Sequence, residues 1–519
     1  INLYPVISQV SARLQTAKQG AIISTRLVPR NTHLGALVHS LSLFSLQDHR
    51  LPPSINFTDL FIDYSSMDED DLNKDHQHAT NKWAKHFLDE YGDKGVEKLA
   101  SSYREGQRCR WEHKKNGSFN SCHKVVFEDG TAWAVRFPIP GRVMHPDEKI
   151  RREVAVMKFV KEKTKIPLPK VIAFGTAADN HDPSIGPFLI TEWVEGIPVT
   201  SLIEELPRPS WGSVLRHEIE DNLLRKIYRQ MASILLELAE HDFDKIGALF
   251  MTEGDDALPS WSIDHRPMTM KMNDVEAGSN VIVDDHTLHP FETTTDYMRN
   301  LVQQNITHLH KQRNSIDDAA DARRKFILRC RMEALVPFFT SKTHESGPFK
   351  LFCDDFRFGN VLIDEDTLEF TGVIDWEWTY TAPHQFLFSA PPWLILERPT
   401  SWTKNGESRY KDNFTVFLQC LGEEEEKRQS QSSFAPPEDK RMSTLMRQSL
   451  DDGTFWFTQL VQEAFSFDEE ILWRNLEKAV HRRGLLEVGV PSEEDVEKFV
   501  ETKLMELDQY NLDLRMLER

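Results

Sequence analysis

Between Arg108 and Val194 the sequence alternates in a way that few folds accept. Three runs of strand-forming residues, Arg108 to His113, Cys122 to Glu128 and Thr131 to Phe137, follow one another, the last two joined by the turn pair Asp129-Gly130. A helical stripe comes next. Asp147 to Lys163 has acid at its start and lysine at its end, with Ile150, Val154, Met157, Phe159 and Val160 at helical spacing. Two more apolar runs, Lys170 to Phe174 and Pro187 to Val194, complete the pattern before Glu195-Gly196 breaks it. Strands joined by short turns pair antiparallel, so the order β-β-β-α-β-β predicts a small five-stranded antiparallel sheet with one helix.

The flanks are helical. From Asn81 to Tyr103, Trp83, Phe87, Leu88, Tyr91, Val96 and Leu99 read as short amphipathic helices. Beyond Gly196, Asn222 to Leu238 carries Leu223, Leu224, Ile227, Met231, Ile234, Leu235 and Leu238 on one face. Helical patterns return at Thr294 to Gln312, Asp318 to Phe339, 453 to 480 and 493 to 517, while 262 to 289 is turn-rich and defines no element. The charge run Glu423 to Glu426 lies in a polar stretch ending near Lys440 and reads as a solvated loop. Together these place the chain in the α+β class.

Charge narrows the partners. The 519 residues hold 82 acidic and 62 basic side chains, a net charge of -20, which repels nucleic-acid phosphates and anionic membranes. No run of about 18 uncharged apolar residues offers a transmembrane segment. Five cysteines are scattered without a CxxC pair, which favours a reducing, cytoplasmic setting over a disulfide framework. His308 and His310 would lie on different sides of a helix and make a poor zinc pair. The first 47 residues contain no Asp or Glu but carry Arg13, Lys18, Arg26 and Arg30. Taking those four charges from -20 leaves -24 on the remainder. Residues 1–66 therefore read as a basic tail, disordered or like a mitochondrial presequence, or as an extension upstream of a start at Met67, the first methionine.

Chemistry concentrates in Leu351 to Asp364, with the sequence L-F-C-D-D-F-R-F-G-N-V-L-I-D, and in Gly372-Val373-Ile374-Asp375-Trp376-Glu377. Two apolar runs, Val361 to Ile363 and Phe370 to Ile374, read as a hairpin. Asp355 stands five residues before Asn360 at its mouth, and Asp375 ends its second strand. Phosphoryl transfer needs such a set: a carboxylate to orient the attacking hydroxyl, and hard oxygen donors for Mg2+.

This D-x4-N with a downstream I-D-W resembles the catalytic segment of the aminoglycoside phosphotransferase family, small-molecule kinases that share the protein-kinase fold. Ala134-Val135-Arg136-Phe137-Pro138, Ile166-Pro167-Leu168-Pro169 and Phe243-Asp244-Lys245-Ile246-Gly247 look like its fungal branch, and the similarity covers about residues 80 to 400. The resemblance implies a protein-kinase-like two-lobed fold, with a small five-stranded antiparallel sheet plus helix and a larger, mainly helical lobe. The lobes would be residues 67–195, with the N-terminal helices, and 196–519, with the catalytic hairpin at 351–377. It implies ATP and Mg2+ as cofactors, Asp355 as catalytic base, and Asn360 and Asp375 as metal ligands. Gly117, Ser118 and Phe119 fall where kinases keep a phosphate-covering loop. Arg136 stands where the family commonly has a nucleotide-binding Lys, and Glu153 where that cation's partner is expected. The backbone at Glu192 and Val194 would meet the adenine edge.

The acceptor implied is a hydroxyl on a small molecule, for which the acidic body suggests cationic alcohols. Cys353 and Asp354 replace the family's His and Gly, Cys353 reading as a buried structural cysteine. Glu377 either points at the substrate or solvates its loop. A protein kinase is disfavoured because Trp376-Glu377 follows the metal Asp where Phe-Gly would stand. The departures at Arg136, Cys353 and Asp354 support an alternative, a pseudokinase that binds nucleotide or acts as a scaffold.

Overall fold

Every fourth residue of Trp83, Phe87 and Tyr91 is aromatic, and in the computed structural model this stripe is buried against a sheet. Described are residues 71–209, 212–252, 260–279, 288–431, 437–465 and 470–517; the basic, presequence-like tail of residues 1–66 lies outside them. Helix α1 (Asp71–His86) continues through a π turn (Phe87–Tyr91) into α2 (Gly92–Ser102). Of the six residues that define the helical pattern, Leu88 alone stays out, at 45% exposure.

The strands are β1 (Cys109–Asn116), β2 (Asn120–Phe127), β3 (Ala132–Pro138), β4 (Val171–Gly175) and β5 (Phe188–Glu192), in the spatial order β1-β2-β3-β5-β4, all neighbours antiparallel. Helix α3 (Pro146–Lys163) lies between β3 and β4 in sequence. Alternation decides the two faces of the sheet. Val125, Phe127, Trp133, Val135, Phe137 and Ile190 pack on the N-terminal helices. Leu189 instead joins Ile150, Val154 and Met157 of α3 in the main core.

That core belongs to the larger lobe. After β5 the chain passes Gly196 at φ +132°, where a Cβ would sit 2.9 Å from the Ile363 carbonyl oxygen, and enters the short strand β6 (Ile197–Pro198). Helix α4 (Asp221–Ala239) buries Ile227, Met231, Ile234, Leu235 and Leu238. A hairpin of β7 (Ala248–Thr252) and β8 (Ser260–His265) follows, then α5 (Met270–Gly278), so the turn-rich segment does hold elements. Helices α6 (Thr294–Lys311) and α7 (Ala319–Phe339) precede β9 (Lys350–Cys353), β10 (Val361–Ile363), β11 (Phe370–Val373) and β12 (Thr379–Ala382). Strand β10 sits between β11 and β6, and β12 pairs with β9.

Longer helices that follow are α8 (Lys404–Gln431), α9 (Met442–Asp452), α10 (Thr454–Gln462), α11 (Glu470–Arg482) and α12 (Glu493–Leu517). Helix α8 corrects the reading of Glu423 to Glu426 as a loop. The run is helical because its charges have partners: Glu423 pairs with Arg229 of α4, and Glu425 accepts from the Ser443 amide at 3.2 Å. A charge run separates into a loop only when nothing across from it neutralises it. The pattern over 453 to 480 is likewise two helices rather than one.

Candidate active site

The chain between β9 and β10 turns Asp355 back onto Asn360. Asn360 donates from Nδ2 to the Asp355 carbonyl and to its carboxylate Oδ2, each at 2.9 Å, and Arg357 donates from Nε to the Asp355 Oδ1 at 2.7 Å. Burial pushes the Asp355 carboxyl up, but Arg357, Arg398 and Asn360 outweigh it and hold the pKa below the ordinary value. Asp355 is therefore ionised at neutral pH and acts as a hydrogen-bond acceptor. With its nitrogen committed to Asp355, Asn360 has only its amide oxygen left to offer a ligand.

Hairpin β10–β11 brings Asp375 alongside. The Ile374 amide donates to the Asn360 carbonyl at 2.9 Å, and the next residue, Asp375, is held at φ +68°. That left-handed conformation is costly for a residue with a Cβ, the kind of strain that collects at functional sites. Burial and the neighbouring Glu377 raise the Asp375 pKa to about 6, against the pull of Arg136. A carboxylate so placed is relieved by a cation. Asp375 and the Asn360 amide oxygen are hard donors of the kind Mg2+ takes, an ion commonly held by one or two protein carboxylates together with substrate phosphates.

Arg136 lies inside β3 rather than at its end. It donates to Glu153 of α3 at 2.5 Å, to Asp375 at 2.8 Å and to Glu377 at 3.3 Å. Arg136, Glu153 and Asp375, far apart in sequence, thus meet in one ion-pair cluster, and Asn360 and Asp355 are tied to it through the Ile374 amide. The Gly117-Ser118-Phe119 loop arrives from the β1–β2 turn. Its carbonyls face inward: Ser118 O accepts from Arg142 at 3.2 Å and Phe119 O from the Ile139 amide at 2.9 Å. Phe119 packs edge-on against Trp378, with ring centroids 5.2 Å apart.

Glu192 and Val194 lie where β5 leaves the sheet. The Glu192 amide is spent on the Lys170 carbonyl, so Glu192 could meet a ligand only through its carbonyl. Val194 packs on the catalytic hairpin: a Cβ on Gly372 would be 2.9 Å from the Val194 Cγ1.

Glu377 neither solvates its loop nor faces a substrate. It is 2% exposed and bonded to Arg136, Lys149 and Asn120. The sequence reading missed Asn120, Lys149 and Arg357. Signals existed for two: Lys149 is one helical turn before Glu153, and Arg357 lies inside the D-x4-N segment. Cys353 is buried, and burial pushes its thiol far up. Asp354, in the position of a glycine, accepts from the Met270 amide at 2.9 Å and the Tyr380 hydroxyl at 3.1 Å.

A cavity of about 270 Å3 opens onto Asp355 from the helical lobe, walled by Phe352, Phe386, Trp393 and Arg398. Arg136, Glu153 and Asp375 are not in its lining.

A sheet-and-helix lobe over a helical lobe, with a D-x4-N turn and a second Asp at their junction, defines a kinase-like fold. Residues 120–384, just over half of the chain, match the model of the APH phosphotransferase enzyme family, and the protein belongs to that family. A 140-residue segment, 26% of this chain, is 27% identical to the altered inheritance of mitochondria protein 9 of Debaryomyces hansenii, and covers 21% of that protein's length. Similar solved structures include a Plasmodium vivax ethanolamine kinase, at 13% identity and TM-score 0.36 over 76% of this chain and 81% of that one. Another is an aminoglycoside phosphotransferase from Streptomyces rimosus in complex with ADP and streptomycin, at 13% identity and TM-score 0.31 over 63% and 89% of the two chains.

Proposed function

We propose that this phosphotransferase moves the γ-phosphoryl group of ATP to a hydroxyl of a small molecule held in the cavity over Asp355. The observation that carries the reading is the Asn360 amide, whose nitrogen holds the Asp355 carboxylate while the Asn360 carbonyl takes the amide of Ile374, the residue before Asp375. Asp355 accepts the hydrogen bond of the acceptor hydroxyl and orients its oxygen toward the γ-phosphorus. As the oxygen–phosphorus bond forms and the bond to the β-phosphate bridging oxygen breaks, the hydroxyl proton passes to Asp355. A weak base is adequate because a loose transition state calls for proton removal late. Mg2+, held by Asn360 and Asp375, would neutralise charge on the phosphate oxygens.

Arg136, steadied by Glu153, would turn to the phosphates once Asp375 is taken up by the metal, and its planar fork suits two oxygens at once. The Gly117-Ser118-Phe119 loop is assigned to cover the phosphates; the Gly117 amide is spent on the Asn120 carbonyl at 2.9 Å, so the loop would act through its other amides. The Glu192 carbonyl and the Val194 backbone are assigned to the adenine edge. Residues 67–195 then form the nucleotide-side lobe and 196–519 the acceptor-side lobe.

Acceptor-stimulated release of ADP across a panel of alcohols tests the reaction. Asp355→Ala should lower transfer by about 10²- to 10⁴-fold, with Mg-ATP affinity changed by less than about threefold; an active Asp355→Ala protein overturns the assigned base. Mg-ATP binding without turnover on any acceptor, unaffected by Asp355→Ala, would favour the scaffold reading, which Arg136's engagement by three carboxylates keeps in view. The acid-free N-terminal stretch and the mitochondrial designation of the Debaryomyces relative support a mitochondrial location. A reporter fused to residues 1–66 that stays diffuse in the cytosol would refute it.

A further inference from the structure

The loop that would cover the phosphates and the strand end that would hold the metal belong to different lobes, and something must set their spacing. Asn120, the residue after the loop, and Glu377, two residues after Asp375, are 257 positions apart, yet the Asn120 Nδ2 donates to the Glu377 Oε2 at 2.6 Å. The Asn120 Oδ1 accepts from the Lys149 Nζ at 2.9 Å, and Lys149 itself pairs with Glu377. The triangle is closed and dry: Lys149 is wholly buried, Glu377 is 2% exposed and Asn120 is 7% exposed. The Asn120 amide has one orientation available, since turning it over would set its oxygen against a carboxylate and its NH2 against an ammonium. Burying a charge pair costs more than leaving it in water unless the geometry and hydrogen bonds are complete. Here they are.

We propose that Asn120, Lys149 and Glu377 form an interlobe latch, a set of positioning residues that fixes the Gly117-Ser118-Phe119 loop at a set height over Asp375. The inference rests on the ATP-binding reading of the cleft. Three elements meet in it: β2 through Asn120, α3 through Lys149 and the segment after β11 through Glu377. The Phe119–Trp378 ring contact extends it toward the loop, and Lys149 lies over the Trp378 ring at 5.6 Å. The latch also aims Arg136, which keeps Glu153 and Glu377 as partners even when Asp375 is committed elsewhere.

The test has two arms. Amide hydrogen exchange of residues 114–124 in the nucleotide-free protein reads the latch itself, and the dissociation constant for Mg-ATP reads its purpose. Asn120→Ala should speed exchange in the loop about tenfold and weaken Mg-ATP about tenfold, the worth of one lost charge-assisted bond. The double variant Lys149→Met, Glu377→Gln removes both charges together, leaves neither stranded, and should show the same two effects if the single variant fails to fold. Exchange at the wild-type rate in these variants overturns the latch. Faster exchange with unchanged Mg-ATP affinity makes the contact merely structural and overturns the positioning role. A wild-type protein that binds no Mg-ATP would instead sink the reading of the cleft, while the exchange arm still decides the contact.

Discussion

Asp354 shows how one side chain can carry a chain-wide property. The family pattern puts a glycine there; this chain puts a half-buried carboxyl with no ion-pair partner among the described residues. Burial raises its pKa from the ordinary 3.8 to about 7, partly opposed by the bonds from Met270 and Tyr380. Below about pH 4 folded and unfolded chains both hold the proton, and the group's contribution to stability is fully present. Between about pH 4 and 7 the folded chain keeps a proton that the unfolded chain has lost, so that contribution declines as pH rises. Asp354→Asn should remove this decline. Thermal melts from pH 5 to pH 8 should therefore show a shallower loss of stability in the variant than in the wild type, and parallel curves would refute the assignment. Gly372 is a second single-residue constraint. Gly372→Ala would press on Val194 and should lower stability by about 1–3 kcal/mol, as read in a denaturant titration.

At the scale of elements, helix α8 shows why local composition can mislead. Its polar end reads as loop from the sequence because no apolar stripe is visible there, yet Glu425 is 7% exposed and acts as a cap for another helix. Helix α9 begins at Met442, and its first residues have no side-chain cap of their own. Glu425 supplies one by accepting from both the amide and the hydroxyl of Ser443. Glu425→Ala should thus cost about 1–2 kcal/mol, like the loss of an N-cap, seen as a lower urea midpoint with an unchanged m-value. Arg428 also joins α8 to α4, pairing with Glu237 and with Glu240 just past its C-terminal end. The small lobe was legible by contrast, since its strands alternate, its turn pair is explicit, and its helix carries the apolar stripe and the charge order that a helix requires.

Across the whole molecule, single polar groups tie distant segments together. Lys271 is buried, and its three N–H groups meet the Leu301 carbonyl, the Asn305 side chain and the Val461 carbonyl, which joins α5, α6 and α10. Lys271→Met would take the ammonium donor from three acceptors and should destabilise the fold by about 3 kcal/mol, measured by chemical denaturation; a near-neutral effect would show that the hub is dispensable. The lobes are joined by the same means: the Val373 amide on the Pro167 carbonyl at 2.7 Å, and Asn120 on Glu377. By itself the sequence determined the β-β-β-α-β-β order of the small lobe through its periodicity and, through a family resemblance carried by the D-x4-N and I-D-W motifs, the two-lobed class and the chemistry proposed for Asp355, Asn360 and Asp375, because such patterns are local and survive in one dimension. Only the tertiary structure decided that Glu377 turns inward, that Lys149 is buried beside it, and that Asn120 closes the triangle. Those facts depend on which charges meet across hundreds of residues, and a buried charge looks the same in a sequence as a solvated one.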